Sequence, residues 1–198
     1  MCGRISVQEK SIQCDVSKVF DASFLINTNI DLRPTQMLGV IIKKNKRFQQ
    51  QNVFWGIKPK WADRILINAQ AETVAQKPTF KKAFEAHRCV VPCSGWYEWQ
   101  DQGSGKKQRY YFSHLKGETL YMAGIYYLKK NELPELITLT TTPNKKFAAI
   151  HNRMPALILT ECLVDWFSGN AEQAQKLLLP VPDNFITFRK IESLEEVV

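Results

Sequence analysis

Between residues 88 and 142, five short segments rich in aliphatic and aromatic side chains follow one another with only short polar connections. Such segments favour β-strands. Helical spacing of apolar residues is confined to the sequence on either side of this region. Consecutive strands flanked by helices predict a single α+β domain over residues 1–198, with a curled, mainly antiparallel, barrel-like sheet as its core and helices at the periphery.

The flanking segments can be assigned from periodicity and end signals. Helices are predicted at Val7–Phe20, at Pro78–His87, at Glu161–Phe167 with Thr160 as its cap, and at Ala171–Leu179 with Asn170 as its cap. A hairpin is predicted from Leu38–Ile42 and Gln51–Trp55, which flank a basic turn, and a further strand from Ala156–Leu159.

The charge balance and the cysteine content narrow the possible partners and compartment. The chain has 27 Lys and Arg against 19 Asp and Glu, a net charge of +8. This excess fits a polyanionic partner such as nucleic acid, and equally a soluble protein that happens to be basic. No apolar run approaches the ~18 to 20 residues of a membrane span and no secretory signal is evident, so we expect a cytoplasmic protein. Five cysteines without an export signal predict reduced thiols.

Cys2 is the first residue with a distinctive chemical possibility. Removal of Met1 would leave an α-amine and a thiol on neighbouring carbons, a 1,2-aminothiol. With ordinary pKa values of ~7.7 to 8.0 and ~8.5, both groups are expected to be partly nucleophilic near neutral pH without activation. The amine can form an imine with an aldehyde, and the thiol can then close a five-membered thiazolidine. A cysteine near a chain start is, however, commonly without any catalytic role.

Three other residues are weaker candidates when each is taken alone. Glu98 lies in Gly95–Trp99, where aromatic neighbours would desolvate the carboxylate, raise its pKa and suit it to proton transfer; an exposed glutamate on an edge strand is an equal alternative. In a strand, Glu98 would share a face with Trp96. His151 lies in a loop, and a lone loop histidine is more often a surface residue than an acid or base. Asn68 follows an apolar run and is equally explained as a turn former.

No metal or nucleotide site is predicted. The set His87, Cys89 and Cys93 lacks the Cys-x2-Cys pairing and a good fourth ligand. Neither a glycine-rich phosphate loop nor a Gly-x-Ser-x-Gly motif is present. We therefore expect no cofactor.

Five motifs occur in a fixed order along about residues 1 to 160. They are Met1-Cys2-Gly3-Arg4, Val53-Phe54-Trp55-Gly56, Ile67-Asn68-Ala69 with Glu72-Thr73, Arg88-Cys89-Val90-Val91-Pro92 with Gly95-Trp96-Tyr97-Glu98-Trp99, and His151-Asn152-Arg153-Met154-Pro155. None is decisive alone. In this joint order, the chain resembles the SOS response-associated peptidase (SRAP) family.

The resemblance implies a sensor of abasic sites in single-stranded DNA. Family members trap the aldehyde of an abasic deoxyribose on the N-terminal cysteine as a thiazolidine, a covalent DNA–protein crosslink that protects the strand from cleavage. Carried over residue by residue, Cys2 is the nucleophile, Asn68 orients the N-terminus or its adduct, Glu98 shuttles protons and His151 assists ring opening and imine steps. Autocatalytic removal of Met1 by the Cys2 thiol and Glu98 is also implied.

The resemblance also extends to the DNA contacts. Arg4 and Arg153 match positions that bind phosphates, and Trp61 matches a position near the bases, in keeping with the use of arginine and aromatic residues on single strands. We expect a monomer that has no membrane partner and is associated with the nucleoid when bound to DNA.

The chain departs from the family pattern at three places, and two alternative functions remain open. Gln70 replaces an expected arginine, Asp31-Leu32-Arg33 lacks the usual asparagine before Pro34, and the segment Ile186–Val198 lacks the usual asparagine-containing end. These changes put DNA affinity and part of the groove or core edge in question. The alternatives are a cysteine hydrolase with His151 as the base and a noncatalytic single-strand binder.

Overall fold

The strands form two sheets within residues 2–103 and 105–197, the part of the chain that the structure, a computed structural model, describes. The strands are β1 (Ile5–Val7), β2 (Asn29–Leu32), β3 (Met37–Lys44), β4 (Arg47–Trp55), β5 (Asn68–Gln70), β6 (Arg88–Cys93), β7 (Gly95–Asp101), β8 (Lys107–His114), β9 (Leu120–Tyr127), β10 (Glu135–Thr141), β11 (Met154–Pro155) and β12 (Ile186–Lys190). The α-helices are α1 (Glu9–Phe20), α2 (Pro78–Ala86), α3 (Lys145–Ala148), α4 (Leu163–Ser168) and α5 (Ala171–Lys176).

Pairing in both sheets is mainly antiparallel. One sheet has the order β12-β8-β7-β1-β2. The other has the order β11-β10-β4-β3-β6-β9, with β5 parallel to β10 and β9 also paired with β10. Strand β10 meets β4 at only two residue pairs, Glu135 opposite Phe54 and Leu136 opposite Trp55. This sheet is curled but is not a closed barrel. The predicted fold class is confirmed, with the strands divided between two sheets.

The predicted hairpin is present and longer than expected. Strands β3 and β4 pair along their length, from Met37 opposite Phe54 to Lys44 opposite Arg47. Asn45 and Lys46 turn the chain with positive φ angles of 51° and 65°, the left-handed conformation that a two-residue type I′ hairpin turn requires. No regular strand forms at Ala156–Leu159: the strand is β11, and the predicted segment makes isolated backbone contacts, such as those from Ala156 to Leu139 of β10 and from Leu157 to Met122 of β9.

The helices lie near their predicted positions, with differences at their ends. Helix α1 begins at Glu9 rather than Val7, because the residues of β1 pair with β2 and β7. Asn170 caps α5 through a capping box, as predicted. Thr160 begins a 3-10 turn instead of capping a helix, and α4 begins at Leu163. Among the helices of residues 2–103 and 105–197, none is both long and apolar enough to cross a bilayer.

Aromatic rings pack beneath β7 and β8 and fix the strand that carries Glu98. The rings of Trp96 and Phe112 stack with centroids 5.0 Å apart. Gly95 permits the close approach of the two strands, since a Cβ there would lie 2.2 Å from the carbonyl oxygen of Phe112. Strand β12 completes this sheet with buried Ile186, so the divergent C-terminal segment still supplies the core edge; its last residue, Val198, lies outside the described residues.

Candidate active site

Cys2 is buried close to the two sheets, just ahead of β1. Only 1% of the residue is exposed, and its carbonyl oxygen accepts a hydrogen bond from Asn68 Nδ2 at 2.8 Å. Burial, together with the negative charge of Glu98, raises the pKa of the Cys2 thiol well above its usual value. This environment favours the protonated thiol, so a neighbouring base would assist its attack. Met1 lies outside the described residues.

Asn68 is held at both ends of its side-chain amide. It begins β5, which runs parallel to β10 with Asn68 opposite Thr138. Its Oδ1 accepts a hydrogen bond from Thr138 Oγ1 at 2.6 Å, while its Nδ2 donates to Cys2. The amide thus links the N-terminal segment to β10 of the curled sheet.

Glu98 lies on the same face of β7 as Trp96, as the strand alternation predicts. The residue is 2% exposed. Burial raises the pKa of the Glu98 carboxyl to about 7, which agrees with the direction expected from its aromatic neighbours. Near neutral pH this group is present in both protonation states and can therefore accept or donate a proton.

His151 lies in the loop between α3 and β11, beside the carboxyl group of Glu98. Its Nε2 is 3.9 Å from Glu98 Oε2, and its Nδ1 is 3.0 Å from both the backbone nitrogen and the carbonyl oxygen of Arg153. Burial lowers the pKa of the imidazole. The ring is therefore mostly neutral near pH 7.

The two arginines predicted to bind phosphate are both paired with carboxylates. Arg4 Nε lies 2.8 Å from Asp31 Oδ1, and Asp31 also pairs with Arg33. Arg153 makes a two-pronged contact with Glu72, with nitrogen–oxygen distances of 2.9 and 2.8 Å. These carboxylates fix the planes of the two guanidinium groups and offset much of their charge.

Trp61, unlike the two arginines, lies on the surface. It is 67% exposed, in the segment between β4 and β5. Lys58, Lys60 and Arg64 lie in the same segment and are also exposed. An exposed indole among basic side chains can stack on a base while the cations approach the backbone of a nucleic acid.

Cys2, Asn68, Glu98 and His151 form a buried cluster. Three partners of the predicted site residues do not stand out in the sequence: Asp31, which pairs with Arg4, Glu72, which pairs with Arg153, and Thr138, which contacts Asn68. Only Glu72 carried a signal, its place two residues after Gln70 in the Asn68 motif. Gln70 itself is exposed at the end of β5. Residues 2–103 and 105–197 contain no group of three or more His, Cys, Asp or Glu side chains that could hold a metal ion.

The fold is a curled two-sheet domain. It brings Asn68, Glu98 and His151 close to the buried Cys2, as expected for the SRAP class of protein. The chain belongs to the family described as SOS response associated peptidase (SRAP), whose model matches residues 1–195. Two curated relatives are each 27% identical to it. Abasic site processing protein YoqW of Bacillus subtilis aligns over 98% of this chain and 93% of YoqW, and abasic site processing protein YedK of Escherichia coli over 69% of this chain and 63% of YedK.

Solved structures support the fold. A protein from Bordetella bronchiseptica superposes with a TM-score of 0.84 at 22% identity, covering 97% of this chain and all of the other. A protein from Bacteroides thetaiotaomicron gives a TM-score of 0.79 at 25% identity, covering 96% of this chain and 92% of the other. Both share the architecture over nearly all of this chain.

Proposed function

We propose that this protein processes abasic sites by capturing them covalently on Cys2 in single-stranded DNA. The observation that carries the proposal is the buried Glu98 carboxyl, whose pKa of about 7 accompanies a raised pKa of the nearby Cys2 thiol. A carboxyl that titrates near neutral pH beside this thiol can accept and return protons while the amine and then the thiol add to one aldehyde carbon. The relatives named as abasic site processing proteins supply the substrate class.

The proposed reaction joins one aldehyde to one aminothiol with loss of one water. The α-amine of Cys2 adds to the aldehyde carbon of the ring-opened deoxyribose and gives a carbinolamine. Glu98 protonates the departing hydroxyl and then recovers a proton from nitrogen, which leaves an imine. The Cys2 sulfur adds to the same carbon as its proton passes through Glu98 to the nitrogen, and the thiazolidine ring closes. His151, as a neutral imidazole, assists the opening of the sugar ring and the imine steps.

This chemistry requires prior removal of Met1, which we also propose to be autocatalytic. Hydrolysis of the Met1–Cys2 peptide bond consumes one water and releases methionine, so that the nitrogen of Cys2 becomes a free amine. Glu98 is the proposed base for the Cys2 thiol in this step. Asn68 donates to the carbonyl of Cys2 itself, which is not the carbonyl of the bond that breaks. Its proposed role is therefore to hold the N-terminus in place.

The DNA is proposed to lie across Arg4, Trp61 and Arg153. The guanidinium groups would exchange their carboxylate partners for phosphates, and the exposed indole would stack on a base. The +8 net charge would add non-specific attraction for the strand. We propose further that residues 1–198 act as one domain and as a monomer, on DNA in the cytoplasm or nucleoid.

The proposal is tested with protein whose N-terminal Cys2 has been verified by intact mass. Mixing it with a single-stranded oligonucleotide that carries one abasic site should give a band that survives denaturing electrophoresis. The same oligonucleotide with an ordinary base, and protein that retains Met1, should give none. Absence of the band with a verified Cys2 terminus rejects the proposal. Turnover of a peptide substrate regardless of added DNA would instead favour the cysteine hydrolase, and salt-sensitive binding without any crosslink would favour the noncatalytic binder.

A further inference from the structure

Thr138 lies behind the proposed active site, where it is 2% exposed and contacts Asn68 rather than Cys2. It is in the middle of β10, directly opposite Asn68 in the parallel pairing with β5. A carboxamide has nearly the same shape when its oxygen and nitrogen are exchanged, so shape alone does not decide which end faces Cys2. The hydrogen-bond partners must decide it.

The Thr138 hydroxyl could donate its proton to either of two oxygens, and the number of hydrogen bonds that the Ile67 carbonyl already accepts decides between them. Ile67 O accepts the backbone N–H of Thr138 at 3.1 Å and the indole N–H of Trp55 at 3.2 Å. Two donors fill the two lone pairs of that oxygen. The Thr138 hydroxyl also lies 3.1 Å from Ile67 O, but it is only 2.6 Å from Asn68 Oδ1. Its single proton is therefore directed to Asn68.

We propose that Thr138 is a positioning residue that fixes the side-chain amide of Asn68 with its nitrogen toward Cys2. The Cys2 carbonyl oxygen can only accept a hydrogen bond, so it needs the NH2 end of Asn68, and the hydroxyl proton of Thr138 holds the oxygen end away from it. The chain of contacts runs from β10 through Thr138 and Asn68 to the segment that carries the nucleophile. This inference rests on the proposed function of Cys2 and Asn68.

The test compares two substitutions that differ in the hydroxyl group. Thr138→Val keeps the shape and removes the donor, whereas Thr138→Ser keeps the donor and removes a methyl group. At saturating abasic DNA, Thr138→Val should slow crosslinking by roughly tenfold or more, because a misplaced reacting group loses its orientation. Thr138→Ser should stay close to the wild-type rate, and both variants should bind an intact oligonucleotide with unchanged affinity. Thr138→Ala repeats the test without the hydroxyl if the valine variant does not fold.

A double-mutant cycle separates positioning from a general structural effect. In an Asn68→Ala background, Thr138→Val should cause no further loss of rate, since the group that it positions is gone. Equal loss in the valine and serine variants, a wild-type rate in Thr138→Val, or an undiminished effect in the Asn68→Ala background would each overturn the inference.

A second readout does not depend on the crosslinking reaction. The side-chain amide of Asn68 should shift in the NMR spectrum and exchange faster with solvent in Thr138→Val, and remain as in wild type in Thr138→Ser. If wild-type protein forms no crosslink but the amide responds in this way, the proposed function fails and the positioning role stands. If the wild type forms crosslinks and the amide is unchanged in Thr138→Val, the positioning role fails alone.

Discussion

The buried cluster and the predicted DNA contacts differ in how far their geometry is fixed in the free protein. Cys2 and Glu98 are enclosed, and hydrogen bonds and burial hold their surroundings in place. Trp61 is exposed, and Arg153 is engaged by Glu72 and must change partner before it can bind a phosphate. If the proposed function is correct, the buried residues are preorganised for chemistry, whereas the surface contacts would be completed only on binding. Substitutions in the cluster should therefore change rates at saturating DNA, and substitutions on the surface should change affinity.

The largest expected effect comes from the nucleophile. Cys2→Ala should abolish the denaturation-resistant adduct, because no sulfur remains to close the thiazolidine, while affinity for intact single-stranded DNA should be unchanged. Denaturing electrophoresis and fluorescence anisotropy measure the two quantities. Cys14→Ala removes an exposed thiol in α1 and serves as the matched control with full crosslinking. Retention of the stable adduct by Cys2→Ala would show that the cluster is not where the bond forms.

Glu98→Gln should slow crosslink formation by about 10²-fold, the usual contribution of a positioned acid–base group. In the wild type, the rate of ring closure should fall as the pH drops through about 7, since the carboxylate that accepts the thiol proton becomes protonated. The glutamine variant should lack this step in its pH profile. The measurement is the single-turnover rate at saturating DNA between about pH 5.5 and 8.5, a range that spans the ordinary pKa values of histidine and the α-amine. An unchanged pH profile in Glu98→Gln would count against Glu98 as the proton shuttle.

The same substitution should stabilise the fold at alkaline pH. The pKa of Glu98 in the folded state, about 7, lies above the ordinary value of 4.5, so the neutral carboxyl favours the folded state. This contribution to stability is complete below pH 4.5 and is lost as the pH rises through about 7. Glutamine does not ionise and avoids the loss. The free energy of unfolding of Glu98→Gln should exceed that of wild type by about 1 to 3 kcal/mol at pH 8 and match it near pH 4.5. Urea unfolding at the two pH values decides the matter; a gain of equal size at both would point to packing instead.

The surface contacts should give the smallest effects and should act on binding alone. Trp61→Ala should weaken binding to intact and abasic oligonucleotides by roughly tenfold through loss of stacking, with Trp61→Phe in between. Arg153→Gln should lower the slope of log affinity against log salt by about 0.7, the value for one phosphate contact on a single strand. Arg47→Gln removes the same charge at the start of β4 and should change the slope less. A slower reaction at saturating DNA in Trp61→Ala would erase the distinction between the two regions.

Local sequence patterns predict the strands and the reactive residues better than they predict the contacts between them. The aromatic residues around Glu98 predict its face in the strand and the direction of its pKa shift, and burial raises that pKa in the fold. The capping box at Asn170 is likewise local. By contrast, the parallel pairing that sets Thr138 against Asn68 joins residues 70 positions apart. No local pattern indicates it.

The environment of the Cys2 thiol depends on the fold for the same reason. A thiol near a chain start is expected to be solvated, but in the fold both burial and the charge of Glu98 disfavour its ionised form. The pairing of the arginines with Asp31 and Glu72 also depends on segments that are distant in sequence. The family motifs identified which residues to consider, and the fold determines their environment.

Intact mass and peptide mapping of the adduct test the central claim most directly. Protein with a verified Cys2 terminus, incubated with abasic single-stranded DNA and no reducing agent, should gain the mass of the oligonucleotide less one water. After digestion, the sugar remnant should lie on residue 2 and should survive conditions that hydrolyse a simple imine. A remnant on a lysine, an adduct that requires reduction to persist, or no adduct at all would contradict thiazolidine formation at Cys2.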